Sequence, residues 1–315
     1  MIVAGLDIGG TKCAAVLAEV LKSSVRFLDR EQIPTEGCWQ DVLDALCAAA
    51  ARFAARHGAA IEAAGIACGG PLDAARGLIL GPPNLPGWEE VPACSHVAAR
   101  LGLRGESVRL KNDADACALA EWRCGAGRGT RNMIFLTFGT GLGAGLILNG
   151  ALYEGTGAAG EAGHIRMEPC GPAGHGKAGS WEGFCSGGGI AQLADLHFRA
   201  KSQRGEGCPY YRGAGSVSAR MLAEQAAAGD ADALSVFAAV GEYFGRGLAV
   251  LVDLLAPEAI VAGGIFMRCR AFIEPSMQAA LRRECLPASL ERVRVLPSAL
   301  GERIGDHGAV AAALF

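Results

Sequence analysis

Apolar residues in this chain fall into short unbroken runs that end at glycine-rich turns, alternating with longer stretches of helical spacing. Residues 2–7 (IVAGLD) form one such run, closed by Asp7, and predict a buried strand. After Gly9, Gly10 and Thr11, CAAVLAEV (13–20) predicts a second strand and VRFLDREQI a third. Between Trp39 and His57 the apolar positions recur every three or four residues and Gly58 follows, the pattern of a helix ended by glycine. AAGIAC (63–68) and SVRLKN (107–112) predict strands, PPNLPGW (82–88) a loop, and residues 92–102 a helix. Asp113 opens a further helix that runs to about Cys124.

The opening pattern then returns. NMIFLTF (132–138), GTGLG (139–143) and AGLILNG repeat the strand–glycine turn–strand unit about 130 residues on, which predicts two related halves. A glycine-rich loop region follows (150–188), then helices near 189–200, 216–228 and 231–255. The strand EAIVAGG (258–264), a helix near 271–283, the strand VRVLP (293–297) and a short helix from about Asp306 complete the chain. Strands alternating with helices argue for an α/β fold whose sheets are largely covered.

Composition narrows the class. Of 315 residues 51% are hydrophobic and 19% charged, which supplies ample core and excludes a disordered chain. The net charge of −3 leaves no basic footprint for nucleic acid. Leu248–Phe266, the longest apolar stretch, is broken by Asp253, Pro257 and Glu258, and Asp7 ends the apolar start early, so neither a membrane span nor a signal peptide is expected. The twelve cysteines are scattered singly without a CxxC pair and read as small buried hydrophobes.

Candidate chemistry concentrates at the turns. GLDIGGTK (5–12) lacks the Gly-Lys-Ser/Thr order of a P-loop and leads into a strand; GTGLGA (139–144) likewise lacks the helix that a dinucleotide fingerprint needs. Glycine turns still let backbone N–H groups approach phosphate closely, and two of them, one per half, can grip a polyphosphate. Asp7 is suited to Mg²⁺, directly or through water, and Thr11 and Lys12 to phosphate. Asn112 and Asp113, where a strand ends and a helix starts, cap that helix, and Asp113 is a candidate general base for a hydroxyl. Glu161, His164 and Glu182, on a glycine-rich loop, can share the hydroxyls of a sugar.

In order, DIGGTK, GGPLD, PNLPGW, KNDADACALAEW, FGTGLGAGLILNG, GEAGH, SWEGFCSGGG, IVAGGI and GDHGAVAAA resemble the ROK family (repressor, open reading frame, kinase) over nearly the whole chain. The resemblance implies the two-lobed fold of the actin/hexokinase/heat-shock ATPase superfamily: a duplicated mixed-sheet core with an active-site cleft between the lobes. Residues 1–112 plus 303–315 would form a smaller N-terminal lobe and 113–302 a larger C-terminal one. It implies transfer of the ATP γ-phosphate to the 6-hydroxyl of a hexose, glucose or an N-acetylhexosamine such as GlcNAc or ManNAc. Asp113 would be the base, while Gly70, Asn84, Asn112, Glu161, His164 and Glu182 would bind the sugar. Asp7, Gly9, Gly10, Thr11, Lys12, Gly139, Thr140 and Gly141 would handle phosphates and Mg²⁺, with Gly263 and Gly264 beside the adenosine. A cytoplasmic homodimer with no nucleic-acid or membrane partner is implied as well.

Two features qualify the resemblance. Many family members hold structural zinc through a histidine and a CxCGxxGC run, but the cysteine positions here are Ala173, His175 and Ser180, so no zinc site is expected although His164 is kept. The family also includes sugar-responsive repressors, whose DNA-binding helix-turn-helix precedes the DIGGTK strand. With six residues ahead of Asp7, no such module is expected. The alternative reading is therefore a sugar-sensing relative without kinase activity.

Overall fold

The computed structural model describes residues 1–22 and 24–315. By packing, the chain divides into two compact units, residues 1–135, 145–160 and 298–315 in the first and 136–144 and 161–297 in the second.

The first unit opens with the predicted apolar runs as β1 (Ile2–Ile8), β2 (Lys12–Val20) and β3 (Val25–Pro34), followed by α1 (Trp39–Arg56) and β4 (Ala63–Cys68). The two-residue strands β5 (Leu72–Asp73) and β6 (Leu78–Ile79), α2 (Ala93–Leu101), β7 (Val108–Asn112) and α3 (Asp113–Cys124) come next. The sheet has the order β3-β2-β1-β4-β7, antiparallel through the β1–β2–β3 meander and parallel from β1 through β4 to β7. Both faces are covered, as the unbroken hydrophobic runs require. On one side Leu6, Leu17 and Ile66 pack against Leu43, Leu46 and Phe53 of α1 and Val97 of α2.

The helix on the opposite face comes from the far end of the chain. α10 (Ile304–Ala312) places Val310 against Val3 and Val16, and its Ala309 and Ala312 share a buried cluster with Ala67 and with Ala116 of α3. Residues 113–135 accordingly group with the first unit, whereas the expected larger lobe begins at Asp113. The approach of α10 is close: a Cβ on Gly65 of β4 would stand 2.1 Å from the Ala309 carbonyl oxygen and 2.5 Å from the Ala313 nitrogen. Gly65→Ala is expected to cost about 2 kcal/mol or more, because only a shift of backbone on backbone relieves that contact. A urea unfolding midpoint equal to wild type would show that α10 yields more easily.

The second sheet repeats the layout. It is built from β8 (Met133–Phe138), β9 (Leu142–Leu148) and β10 (Ala151–Leu152), together with the later β13 and β14, in the order β10-β9-β8-β13-β14. Within the region expected as loop, 150–188, short elements appear: the β11 (Ala173–Gly174) and β12 (Lys177–Ala178) hairpin and α4 (Trp181–Phe184). α5 (Gly187–Gln203), α6 (Ala219–Ala227), α7 (Ala231–Leu255), β13 (Ala259–Ala262), α8 (Ile265–Glu284), α9 (Pro287–Leu290) and β14 (Arg294–Pro297) follow. α8 starts six residues before the expected 271: Gly264 (φ +61°) turns the chain directly off β13 into a first helical segment, which joins the remainder at a kink at Cys269.

α7 is long and apolar enough to cross a membrane, but its Phe237, Phe244, Leu248 and Val252 are fully buried in the second unit. Trp181 is also fully buried, and a Cβ on Gly247 of α7 would stand 2.0 Å from its ring. All twelve cysteines are free and seven are buried, among them Cys117 and Cys185, whose thiols burial pushes well above the usual range.

Candidate active site

In the first unit the Gly9-Gly10-Thr11 turn joins β1 to β2, and the Gly9 N–H donates to the Lys12 carbonyl at 3.2 Å. Thr35, just past β3, braces it: its hydroxyl donates to the Gly9 carbonyl at 2.7 Å and its N–H to that of Thr11 at 3.1 Å. A Cβ on Gly10 would stand 2.6 Å from the Asn84 carbonyl oxygen, so the 82–88 loop lies directly on the turn. Asn112 ends β7 as the N-cap of α3, its side-chain oxygen accepting from the Ala114 N–H at 2.9 Å, and Asp113 Oδ1 accepts from the same N–H at 2.8 Å. Gly69 and Gly70 close the group. A Cβ on Gly69 would reach Asn84 Oδ1 at 3.9 Å and Asp113 Oδ2 at 4.0 Å, and one on Gly70 would reach Asn112 Nδ2 at 3.5 Å. Gly70, Asn84 and the adjacent pair Asn112 and Asp113, drawn from three separate segments, thus converge beside the turn that carries Gly9, Gly10, Thr11 and Lys12.

Asp7 sits at the end of β1 among other charges. Burial, and then the negative charges of Asp113 and Asp306, push its carboxyl up to about 6, against the opposing pull of Arg30 and Lys12. Three residues here were given no role from sequence: Arg30 on β3, and Gly305 and Asp306 in the first turn of α10. A Cβ on Gly305 would stand 2.4 Å from Asp7 Oδ2, so glycine lets α10 approach the carboxylate. The GDHGA run containing Gly305 and Asp306 carries no local chemical signal beyond its place among the motifs that resemble the family.

In the second unit Gly139, Thr140 and Gly141 form the turn between β8 and β9, with the Gly139 N–H donating to the Gly141 carbonyl at 2.9 Å. Gly263 and Gly264 lie against it: the Gly263 N–H donates to the Leu136 carbonyl at 3.0 Å, and a Cβ on Gly264 would stand 2.2 Å from the Phe138 oxygen. Glu182 joins the same turn, its Oε2 accepting from the Leu142 N–H at 3.0 Å. Gly163, between Glu161 and His164, is pressed on the other side of Leu142, where a Cβ would stand 2.1 Å from its carbonyl oxygen. Gly187, which sequence did not single out, donates its N–H to the Gly139 carbonyl at 2.8 Å. The signal for it was the serine-glycine run at 186–189, in which the Ser186 hydroxyl caps α5 by accepting from the Gly189 N–H at 3.0 Å.

The loop that departs from the zinc pattern is tied by hydrogen bonds. Arg166 Nη1 donates to the Ala178 carbonyl at 2.9 Å, Gln192 exchanges two bonds with Ala173 at 2.8 and 2.9 Å, and Lys177 Nζ donates to the His164 carbonyl. The His164 and His175 rings meet edge to face, 5.4 Å between centroids. Two imidazoles without thiolate partners do not fit a four-ligand zinc, and among the described residues no three His, Cys, Asp or Glu side chains cluster closely enough to hold a metal. Magnesium makes a smaller demand. It takes one or two carboxylates with waters and substrate phosphates, and Asp7, a hard-oxygen donor whose charge is offset only in part by Arg30 and Lys12, fits that role.

Two sheets of matching strand order, each opening on a strand–glycine turn–strand unit, define the actin/hexokinase-like class. The chain belongs to the ROK family, whose family model matches residues 3–314. It is 35% identical to a glucokinase of Streptomyces coelicolor over 269 residues, covering 82% of this chain and 80% of that one. It is 32% identical to an N-acetylmannosamine kinase of Salmonella arizonae over 253 residues, covering 75% and 82%. A ROK family glucokinase from Streptomyces griseus, solved in complex with glucose and AMPPNP, superposes with a TM-score of 0.77 at 33% identity, covering 98% of each chain. These similarities make the protein a sugar kinase of the ROK family.

Proposed function

We propose that this chain is an ATP:hexose phosphotransferase that phosphorylates the 6-hydroxyl of glucose or of an N-acetylhexosamine such as GlcNAc or ManNAc. The observation that carries this reading is the convergence of Asp113, Asn112, Asn84 and Gly70 beside the Gly9–Lys12 turn. Asp113 takes the proton from the 6-hydroxyl as that oxygen forms its bond to the γ-phosphorus; the bond from phosphorus to the β-phosphate oxygen breaks, and ADP leaves. Gly70, Asn84, Asn112, Glu161, His164 and Glu182 hold the remaining sugar hydroxyls. Backbone N–H groups of Gly10 and Gly141, with Thr11, Thr140 and Lys12, hold phosphate oxygens, Gly9 and Gly139 shape the turns that present them, and Gly263 and Gly264 border the adenosine. Asp7 would hold Mg²⁺, directly or through water, and the ion would supply neutralisation of phosphate charge.

A coupled ADP-release assay with Mg-ATP across hexoses and N-acetylhexosamines tests the proposal. Strong turnover of one sugar is expected, and the other stereoisomers should be poorer because each misplaced hydroxyl leaves a polar partner unmet. Folded protein that binds a sugar but releases no ADP with any of them would instead establish the sugar-sensing reading. Glu182→Gln is expected to weaken sugar binding about tenfold by calorimetry, since an amide keeps the shape but loses the charge-assisted bond. A cytoplasmic location and a homodimer form part of the same proposal, the latter read by light scattering at about twice 32.3 kDa.

A further inference from the structure

A cavity of about 260 Å³ lies beside the first glycine turn, and one wall of it belongs to no part of the site so far assigned: Arg30 and Gln32 of β3. The sheet register explains why they are there. Gln32 pairs with Ala14, which pairs with Asp7, and Arg30 pairs with Val16, two residues along β2. Directly paired residues share a face and the side-chain period along a strand is two, so Asp7, Lys12, Gln32 and Arg30 all point to the α10 side of the sheet.

Arg30 is fixed from behind. Its Nε donates to both carboxylate oxygens of Asp306, at 3.1 and 2.9 Å, and its Nη2 donates to Gln32 at 3.3 Å. Asp306 is only 3% exposed and is braced a second time by Arg303 Nε at 3.2 Å, whereas the Arg30 side chain remains 41% exposed. A guanidinium carries five N–H groups in a rigid fork. The ones on Nη1 make no bond to any described side chain or carbonyl, and the group lines the cavity. The electrostatics ask for such a cation. The negative charges of Asp113 and Asp306 lie close enough to Asp7 to act on its carboxyl, and a polyphosphate entering beside the three carboxylates meets repulsion that Lys12 alone does not balance.

We propose that Arg30 is a second phosphate-facing cation of this turn, acting with Lys12 on the polyphosphate, and that buried Asp306 is the positioning residue that aims it. The inference rests on reading the turn as a phosphate site. An arginine already held along one edge loses little freedom on binding and offers its remaining edge to two phosphate oxygens, which a lysine cannot do.

The test uses the full-length chain with Arg30→Gln and Arg30→Lys, and with Asp306→Asn as the loosened-support variant. Two quantities are read: KM for Mg-ATP against KM for the sugar, and the affinity for inorganic tripolyphosphate by calorimetry without sugar. Arg30→Gln is expected to raise KM for ATP and weaken tripolyphosphate binding about tenfold or more while KM for the sugar stays within twofold. Arg30→Lys should recover part of the loss and Asp306→Asn should fall between. A residue serving only the Asp306 ion pair would lower the melting temperature and leave both phosphate readouts unmoved; that result, or a wild type that does not bind tripolyphosphate, overturns the proposal. Arg30-dependent tripolyphosphate binding by a wild type that phosphorylates no sugar would uphold this inference and sink the kinase reading.

Discussion

Asp113→Asn is expected to lower kcat by about 1,000-fold while leaving sugar affinity within about threefold and the melting temperature near wild type. The geometry separates these effects. Asp113 Oδ1 accepts from the Ala114 N–H at 2.8 Å, and an asparagine oxygen in the same place accepts that bond equally well. The Asn112 cap on the same N–H is untouched, so the start of α3 keeps its anchor. What the amide cannot do is take a proton. Loss therefore falls on the step in which the sugar hydroxyl becomes a nucleophile, and single-turnover kinetics with calorimetry for the sugar distinguishes it from lost binding. A variant turning over at the wild-type rate would remove Asp113 as the base.

The same residues show how far a sequence carries such an argument. The two strand–turn–strand units were legible because glycine turns interrupt unbroken apolar runs, a contrast that survives without any neighbour. The start of α3 was legible because Asn and Asp satisfy free helix N–H groups locally. The Arg30–Asp306 pair was not, since its partners lie 276 residues apart and neither carries a local signal. Nor was the bond from Leu142 to Glu182, which ties a residue expected at the sugar to the second glycine turn 40 positions earlier. The short elements within 150–188 were hidden for another reason: a run so rich in glycine has no side-chain period to read. The early start of α8 is masked similarly, because a glycine pair after an apolar run reads as a turn and carries no helical period of its own.

Asp7→Asn is expected to move stability and activity in opposite directions. In the folded chain the Asp7 carboxyl is pushed up to about 6, by burial first and then by Asp113 and Asp306, with Arg30 and Lys12 offsetting only part of this. The unfolded chain therefore ionises Asp7 at lower pH than the folded one. The stability that goes with a protonated Asp7 is complete below about pH 4 and is lost as pH rises through 6, so at neutral pH the ionised carboxylate disfavours the fold by about 2–3 kcal/mol. An asparagine removes that repulsion with nearly the same shape. Urea unfolding of the ligand-free variant should show a gain of this size at pH 7.5 that vanishes near pH 4. Turnover should nevertheless fall at least about a hundredfold, because the oxygen assigned to Mg²⁺ loses its charge. Adding Mg²⁺ with ADP should then narrow the stability gap, since a ligand that binds only the folded wild type stabilises it alone. Equal stability at both pH values would mean that the Asp7 charge is compensated within the fold, and the carboxylate would then have no unmet demand for a cation. The predicted opposition is what a binding group held against its own electrostatic preference produces: the charge that disfavours the fold is the one that recruits the cation.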